Sequence, residues 1–269
     1  MKIYELIRET LFRKTFIRVV HIAWLAIYGV LFLLPFPKEV WRAWPWGPMV
    51  FAWSGCFLPL LLSAGIIGDD LASGRIGLLI TRPVWPGELY LCRLAGLSLQ
   101  ALVHLVVAGL VIFILLAVTS GGAGQNVDQW VGEFKDAGLI RDKSNVQNLA
   151  LWLLSAWLVF NSWAALSTTL STVVRRAHNS MLLFAALGFA YLLVVMMISL
   201  FPKHAATEAI TGFIRYAGPP VELLANLAMG KYSVLKSLGC VMHSFALVGV
   251  YSAVGIVILS RRQFVCARD

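Results

Sequence analysis

The 269-residue chain is 59% hydrophobic and only 13% charged. This balance excludes a soluble globular domain, because such domains carry about 25% charged and about 45–50% apolar residues. The net charge of +9 accompanies no nucleic-acid motif, so we attribute it to basic residues kept on the cytoplasmic side of a membrane and expect no nucleic-acid partner. The four cysteines are widely spaced and fit neither a disulfide framework nor a zinc site.

Residues 1–16 differ in pattern from the segments that follow. Ile3, Leu6, Ile7 and Leu11 recur at helical spacing, while charged residues take the other positions. This pattern predicts an amphipathic helix that lies at the membrane interface. The alternative is a charged flank of the first membrane span.

Six apolar runs follow, each long enough to cross a hydrocarbon layer of about 30 Å as a helix. Helices are the expected form because backbone polar groups cannot stay unpaired in lipid. The runs cover about residues 17–36, 49–67, 90–118, 149–174, 181–201 and 238–259. We therefore predict an all-α membrane protein, with a six-span transmembrane domain at 17–260 and a cytoplasmic tail at 261–269.

The distribution of lysine and arginine predicts the orientation. With the N-terminus inside, the inner segments hold 13 basic and six acidic residues, and the outer segments hold nine and seven. The asymmetry is sharpest beside helix ends, where Arg175-Arg176 and Arg261-Arg262 follow the fourth and sixth runs. We expect a multi-pass protein of the cell (inner) membrane, in contact with membrane lipid, with both termini cytoplasmic.

The segment 68–96, between the second and third runs, is charged and longer than the about 2–8 residues that usually join neighbouring helices. Asp69 and Asp70 are predicted to cap a new helix. Pro83 and Pro86 are predicted to end it, and Glu88 and Arg93 lead into the third span. The helix has an apolar face formed by Ile76, Leu79 and Ile80. A partner protein or the inner ends of the bundle would have to cover that face.

Within this segment, Asp-Asp-Leu-x-Ser-Gly-Arg-Ile-x-Leu-Leu-x-Thr-Arg-Pro-Val (69–84) and Gly-Glu-Leu-Tyr-Leu-x-Arg-Leu-x-Gly (87–96) resemble the signature of ABC type-2 exporter permeases. The layout of the whole chain is similar to that family, and residues 218–223 resemble its proline-containing segment before the sixth span. The chain departs from many relatives at residues 85–87, Trp-Pro-Gly, where a basic residue is common.

The resemblance implies a permease subunit without its own motor. In the family, a cytoplasmic coupling helix between spans two and three and the N-terminal helix dock on a cytoplasmic ATPase. Two ATPase copies act on two permease subunits, which here would be a homodimer or a pair of paralogues. The residues that would lie at the ATPase-coupling surface are Asp69, Asp70, Gly74, Arg75, Pro83 and Glu88.

A phosphate-binding loop needs Gly-x4-Gly-Lys-Ser/Thr. The single Gly-Lys pair, Gly230-Lys231, is followed by Tyr232 and lacks the first glycine. We therefore predict that the chain is not an enzyme and binds no cofactor, and that ATP and Mg belong to the partner ATPase.

Two alternatives remain open: an intramembrane enzyme and a non-transporting assembly subunit. An enzyme would need a nucleophile and base or a metal cluster on facing helices, and His21, His104 and His243 share no metal-ligand spacing. The polar face of the fourth run argues weakly against a purely structural subunit. Its serines and threonines are predicted either to pack against a neighbouring helix or to line a path.

Overall fold

The regular structure that the computed structural model describes is helical throughout. It describes residues 7–8, 19, 22–24, 26, 65–72, 85–119, 145–174, 176–198, 218 and 234–261. Five helices have both of their ends in these ranges: α1 (Ile66–Ala72), α2 (Pro86–Thr119), α3 (Asn145–Val173), α4 (Ala177–Ile198) and α5 (Val234–Arg261). Residues 7–8, 19, 22–24 and 26 are also helical.

The helices α2 to α5 overlap the third to sixth predicted runs, and their local sequences account for several of their ends. Pro86, which was predicted to end the preceding element, is the first residue of α2, a position that tolerates proline because that N–H has no helical partner. Residues 73–84, where the preceding element would end, lie outside the described ranges. Similarly, α1 continues beyond Ile67 to Ala72, so the helix passes through the predicted end of the second run.

The helix α3 is central, since it contacts each of the other four described helices. The Ser162 and Thr169 hydroxyls donate to the carbonyls of Ser244 and Tyr251 respectively, both 82 positions further along the chain. A constant offset means that α3 and α5 run parallel.

The helix α2 runs antiparallel to α3. Tyr90, near its start, bonds to Ala165, whereas Ser98, further along, accepts from Trp157. The helix α4 follows α3 after a short connection, and the Trp163 ring contacts Phe184 and Tyr191 edge to face, at centroid distances of 6.0 Å and 5.6 Å. The start of α2 and the ends of α3 and α5 therefore share one end of the bundle, together with the start of α4.

Apolar side chains form one core around α3, and it includes Ile67, Leu89, Leu105, Val159 and Trp163. The outward faces of α2, α4 and α5 carry large apolar side chains, such as Phe189, Met242 and Phe245. Three helical stretches of the described residues are long and apolar enough to cross a membrane: Pro86–Leu110, Leu153–Val173 and Val241–Arg261. The described part of the chain is accordingly helical and has the long apolar helices of a membrane protein, whose outward apolar side chains are suited to contact with lipid.

Several predictions concern residues outside the described ranges. Nearly all of the first two predicted spans lies there, as does most of the N-terminal helix and of the tail. In 1–16 the structure describes Ile7, which packs on the core, and Arg8, which is exposed. Six spans and cytoplasmic termini stay predictions.

Candidate functional site

A buried ion pair joins α1 to α2 at the end of the bundle where α2 begins. Arg93 Nη2 donates to Asp70 Oδ2 at 2.9 Å, and both side chains are completely buried. The two residues lie 23 positions apart and bracket most of the segment 68–96. A charge-assisted bond of this length is among the strong polar contacts of proteins, and removing either residue would leave the other as a buried charge that has lost its ion pair.

The structure describes three of the six predicted coupling residues and separates them by exposure. Asp70 is fully buried against the bundle, Asp69 beside it is partly exposed, and Glu88 in the first turn of α2 is exposed. Gly74, Arg75 and Pro83 lie outside the described residues.

The predicted capping of a new helix by the two aspartates is wrong. Both lie within α1, which begins at Ile66, and the Asp69 N–H donates to the carbonyl of Gly65 at 2.7 Å. The Asp70 carboxylate instead makes a contact between helices, to Arg93 of α2.

A hydroxyl network links α2, α3 and α5 close to the ion pair. The Tyr90 hydroxyl lies 3.0 Å from the Ala165 carbonyl and 2.9 Å from Thr169 Oγ1. Thr169 Oγ1 lies 2.9 Å from that same carbonyl and 2.8 Å from the Tyr251 carbonyl. Each hydroxyl carries one hydrogen. When Thr169 donates to Tyr251, Tyr90 can therefore donate to Ala165 or to Thr169.

The remaining polar side chains of α3 mainly serve packing. Thr168, Ser171 and Thr172 are buried, and each donates to a carbonyl of its own helix at 2.7–2.8 Å. Ser162 reaches α5 with a long bond of 3.4 Å. Of the two predicted uses of this polar face, the burial of these side chains favours packing against neighbouring helices.

Two of the three histidines in the predicted spans lie in the described residues, on different helices: His104 on α2 and His243 on α5. His104 is buried in α2, and His243 Nε2 lies 3.3 Å from the Gly218 carbonyl. His21 lies outside the described residues. Within the described part of the chain, no three His, Cys, Asp or Glu residues are grouped where they could hold a metal ion.

Exposed arginines accompany the ion pair at this end. Arg176 follows α3, and Arg261 is the last residue of α5, and both side chains are exposed. They match the basic pairs on which the predicted orientation depends.

Sequence reasoning missed the partner of Asp70. Arg93 was predicted only to lead into the third span, and Tyr90 and Thr169 were not connected. One clue was available: Arg93 stands among apolar residues of a span, where a charge is costly unless it is paired, and the nearest upstream acids include Asp70. Compared with known proteins, the chain matches no family model and no curated protein.

Proposed function

We propose that this protein is the transmembrane permease subunit of an ATP-driven ABC exporter. It would span the cell inner membrane six times with both termini cytoplasmic. It would couple ATP hydrolysis by a separate ATPase subunit to substrate movement. The observation that carries the proposal is the buried Asp70–Arg93 pair, which joins the two halves of the segment whose sequence resembles the coupling region of that family.

The geometry supports this function because the motif residues differ in exposure, so that some can anchor the segment while others can contact a partner. Asp70 faces the bundle and holds the base of the segment, whereas Asp69 and Glu88 remain accessible beside it. Gly74, Arg75 and Pro83 belong to the stretch between the two anchored ends and would contact the ATPase. The pair then supplies a stiff connection between a docked partner and the helices α2 and α3.

The proposed assembly contains two permease subunits and two ATPase copies, with ATP and Mg bound by the ATPase. Tagged protein purified from native membranes should bring down an ATPase, identified by mass spectrometry. Purified chain that carries out a hydrolytic reaction without any partner, and no ATPase in the pull-down, would instead favour the intramembrane enzyme.

The coupling role of the segment is tested in the reconstituted complex. Arg75→Glu is expected to reduce substrate-stimulated ATP hydrolysis, because it reverses a charge on the proposed docking surface. Arg261→Glu is the matched control, since it reverses an exposed charge at the same end of the bundle but outside the segment. Equal hydrolysis in the Arg75→Glu and unmodified complexes would contradict the proposed coupling surface.

A further inference from the structure

The Asp70–Arg93 bond closes a loop in the chain. Asp70 lies in the last turn of α1, Arg93 lies in the second turn of α2, and the 2.9 Å bond joins residues 23 positions apart. We call the residues between them, 71–92, the tethered segment. Its two ends cannot separate while the bond is intact, so a force on the segment reaches both helices together.

Stability alone does not account for a charged pair at this place. Both side chains are fully buried, and their helices also contribute Ile67, Leu89 and Leu97 to the apolar core. The cost of removing two charges from water offsets much of their attraction, and apolar side chains of similar volume often replace such pairs without loss of stability. Charges kept inside a membrane bundle point to a functional role.

The charged pair constrains the position and orientation of α1 relative to α2. The planar guanidinium bonds a carboxylate over a narrow range of distances and angles, whereas contact between apolar side chains is non-directional. The helix α1 has only seven residues, and it contacts α2, α3 and α4. An apolar contact alone would let so short a helix slide or rotate against its neighbours.

The same part of α2 also bonds to the centre of the bundle. Tyr90 lies three residues before Arg93, a spacing that places both on one side of a helix. Its hydroxyl lies within hydrogen-bond distance of the Ala165 carbonyl and of Thr169, which reaches α5. One turn of α2 therefore connects α1 on one hand with α3 and α5 on the other.

We propose that Asp70 and Arg93 are positioning residues. They fix α1 to α2, so that displacement of the tethered segment moves α1, α2 and, through Tyr90 and Thr169, α3 as one unit. The consequence for transport rests on the proposed function. The fixing of α1 is a property of this chain alone and can be measured without a partner.

The test is hydrogen–deuterium exchange of the full chain in lipid nanodiscs, followed by mass spectrometry of peptides covering α1. Asp70→Leu with Arg93→Met replaces the pair by apolar side chains, of which leucine has the branched shape of aspartate and methionine the unbranched stem of arginine. We expect exchange in α1 to become at least about tenfold faster while the thermal midpoint stays at its original value. Exchanging the charges, Asp70→Arg with Arg93→Asp, should restore slow exchange. Ser162→Ala, which removes a buried bond elsewhere, is the control and should leave α1 unchanged.

Unchanged α1 exchange in the apolar double variant would overturn the proposal, because the pair would then be replaceable packing. If that variant does not fold, Arg93→Lys decides the question. It keeps the charge but loses the planar fork, so faster α1 exchange supports positioning and unchanged exchange contradicts it.

The complex with the ATPase provides the second measurement. Here the apolar double variant should assemble and lose substrate-stimulated hydrolysis. If no ATPase binds the unmodified chain, the proposed function fails while the exchange result stands. If the ATPase binds and stimulation persists in the variant, the role of the pair in coupling fails instead.

Discussion

Substituting Gly255 by alanine should force α2 and α5 apart where they are in close contact. Gly255 is buried on α5 where the Tyr90 ring of α2 crosses it, and an added Cβ would meet the Tyr90 ring, with Tyr90 Cζ at 3.0 Å and Thr169 Oγ1 at 3.1 Å. Gly249, two turns earlier on the same helix, is exposed and has no atom within 4 Å of such a Cβ. The two glycines form a matched pair.

The magnitude at Gly255 follows from three contributions. Overpacking a tight contact costs about 1–3 kcal/mol. The ring cannot move aside freely, because its hydroxyl bonds at 3.0 Å and 2.9 Å, and losing such a bond costs about 1 kcal/mol. Replacing a helical glycine by alanine stabilises the helix by up to about 1 kcal/mol, which offsets part of this cost. We therefore expect Gly255→Ala to lower the free energy of unfolding by about 1–3 kcal/mol.

Thermal unfolding in detergent, followed by tryptophan fluorescence, measures the difference. Gly249→Ala should unfold at the same temperature as the unmodified protein or slightly above it, since helix propensity is the main contribution there. Equal midpoints for Gly255→Ala and Gly249→Ala would refute the close approach of Tyr90 to α5.

The other predictions concern polar contacts and use the same unfolding assay. Tyr90→Phe should cost about 1 kcal/mol, whereas Ser260→Ala should be nearly neutral because Ser260 is exposed and donates to its own helix; equal effects would contradict the network at Tyr90. Arg93→Met alone should cost about 3–5 kcal/mol because Asp70 is left as a buried charge, and adding Asp70→Leu should recover most of that loss. No recovery would mean that the pair itself supplies stability. Ser162→Ala should cost less than Tyr90→Phe, since its 3.4 Å bond is near the limit of hydrogen-bond geometry.

The helical membrane class could be predicted from sequence because it depends on local composition. Long apolar runs demand helices in lipid, and α2 to α5 occur where four of those runs lie. The ends of helices were harder to predict. Pro86 begins α2, and because a proline can end one helix and also begin the next, its presence alone does not locate the start of a helix.

The ion pair could not be predicted from spacing alone. Asp70 and Arg93 meet because α1 packs against α2, and one sequence does not reveal which charges face each other across two helices. An aspartate beside a helix start has an obvious local use as a cap, and that local explanation concealed the long-range one. The polar face of α3 was recognisable, but its division between bonds within the helix and bonds to α5 depends on the parallel packing of those helices.

The parallel packing of α3 and α5 also sets an order of events during synthesis. Thr169 is made 82 residues before its acceptor at Tyr251, an interval of roughly 4–16 s at a synthesis rate of about 5–20 residues per second. During that time Thr169 can donate to Ala165 in its own helix, so α3 can enter the lipid without an unsatisfied hydroxyl. Once α5 is in place, the hydroxyl can donate to Tyr251 instead, which leaves the Ala165 carbonyl as an acceptor for Tyr90. The addition of α5 thus completes the network, and the Thr169 hydroxyl of α3 has an acceptor in the membrane before α5 is made.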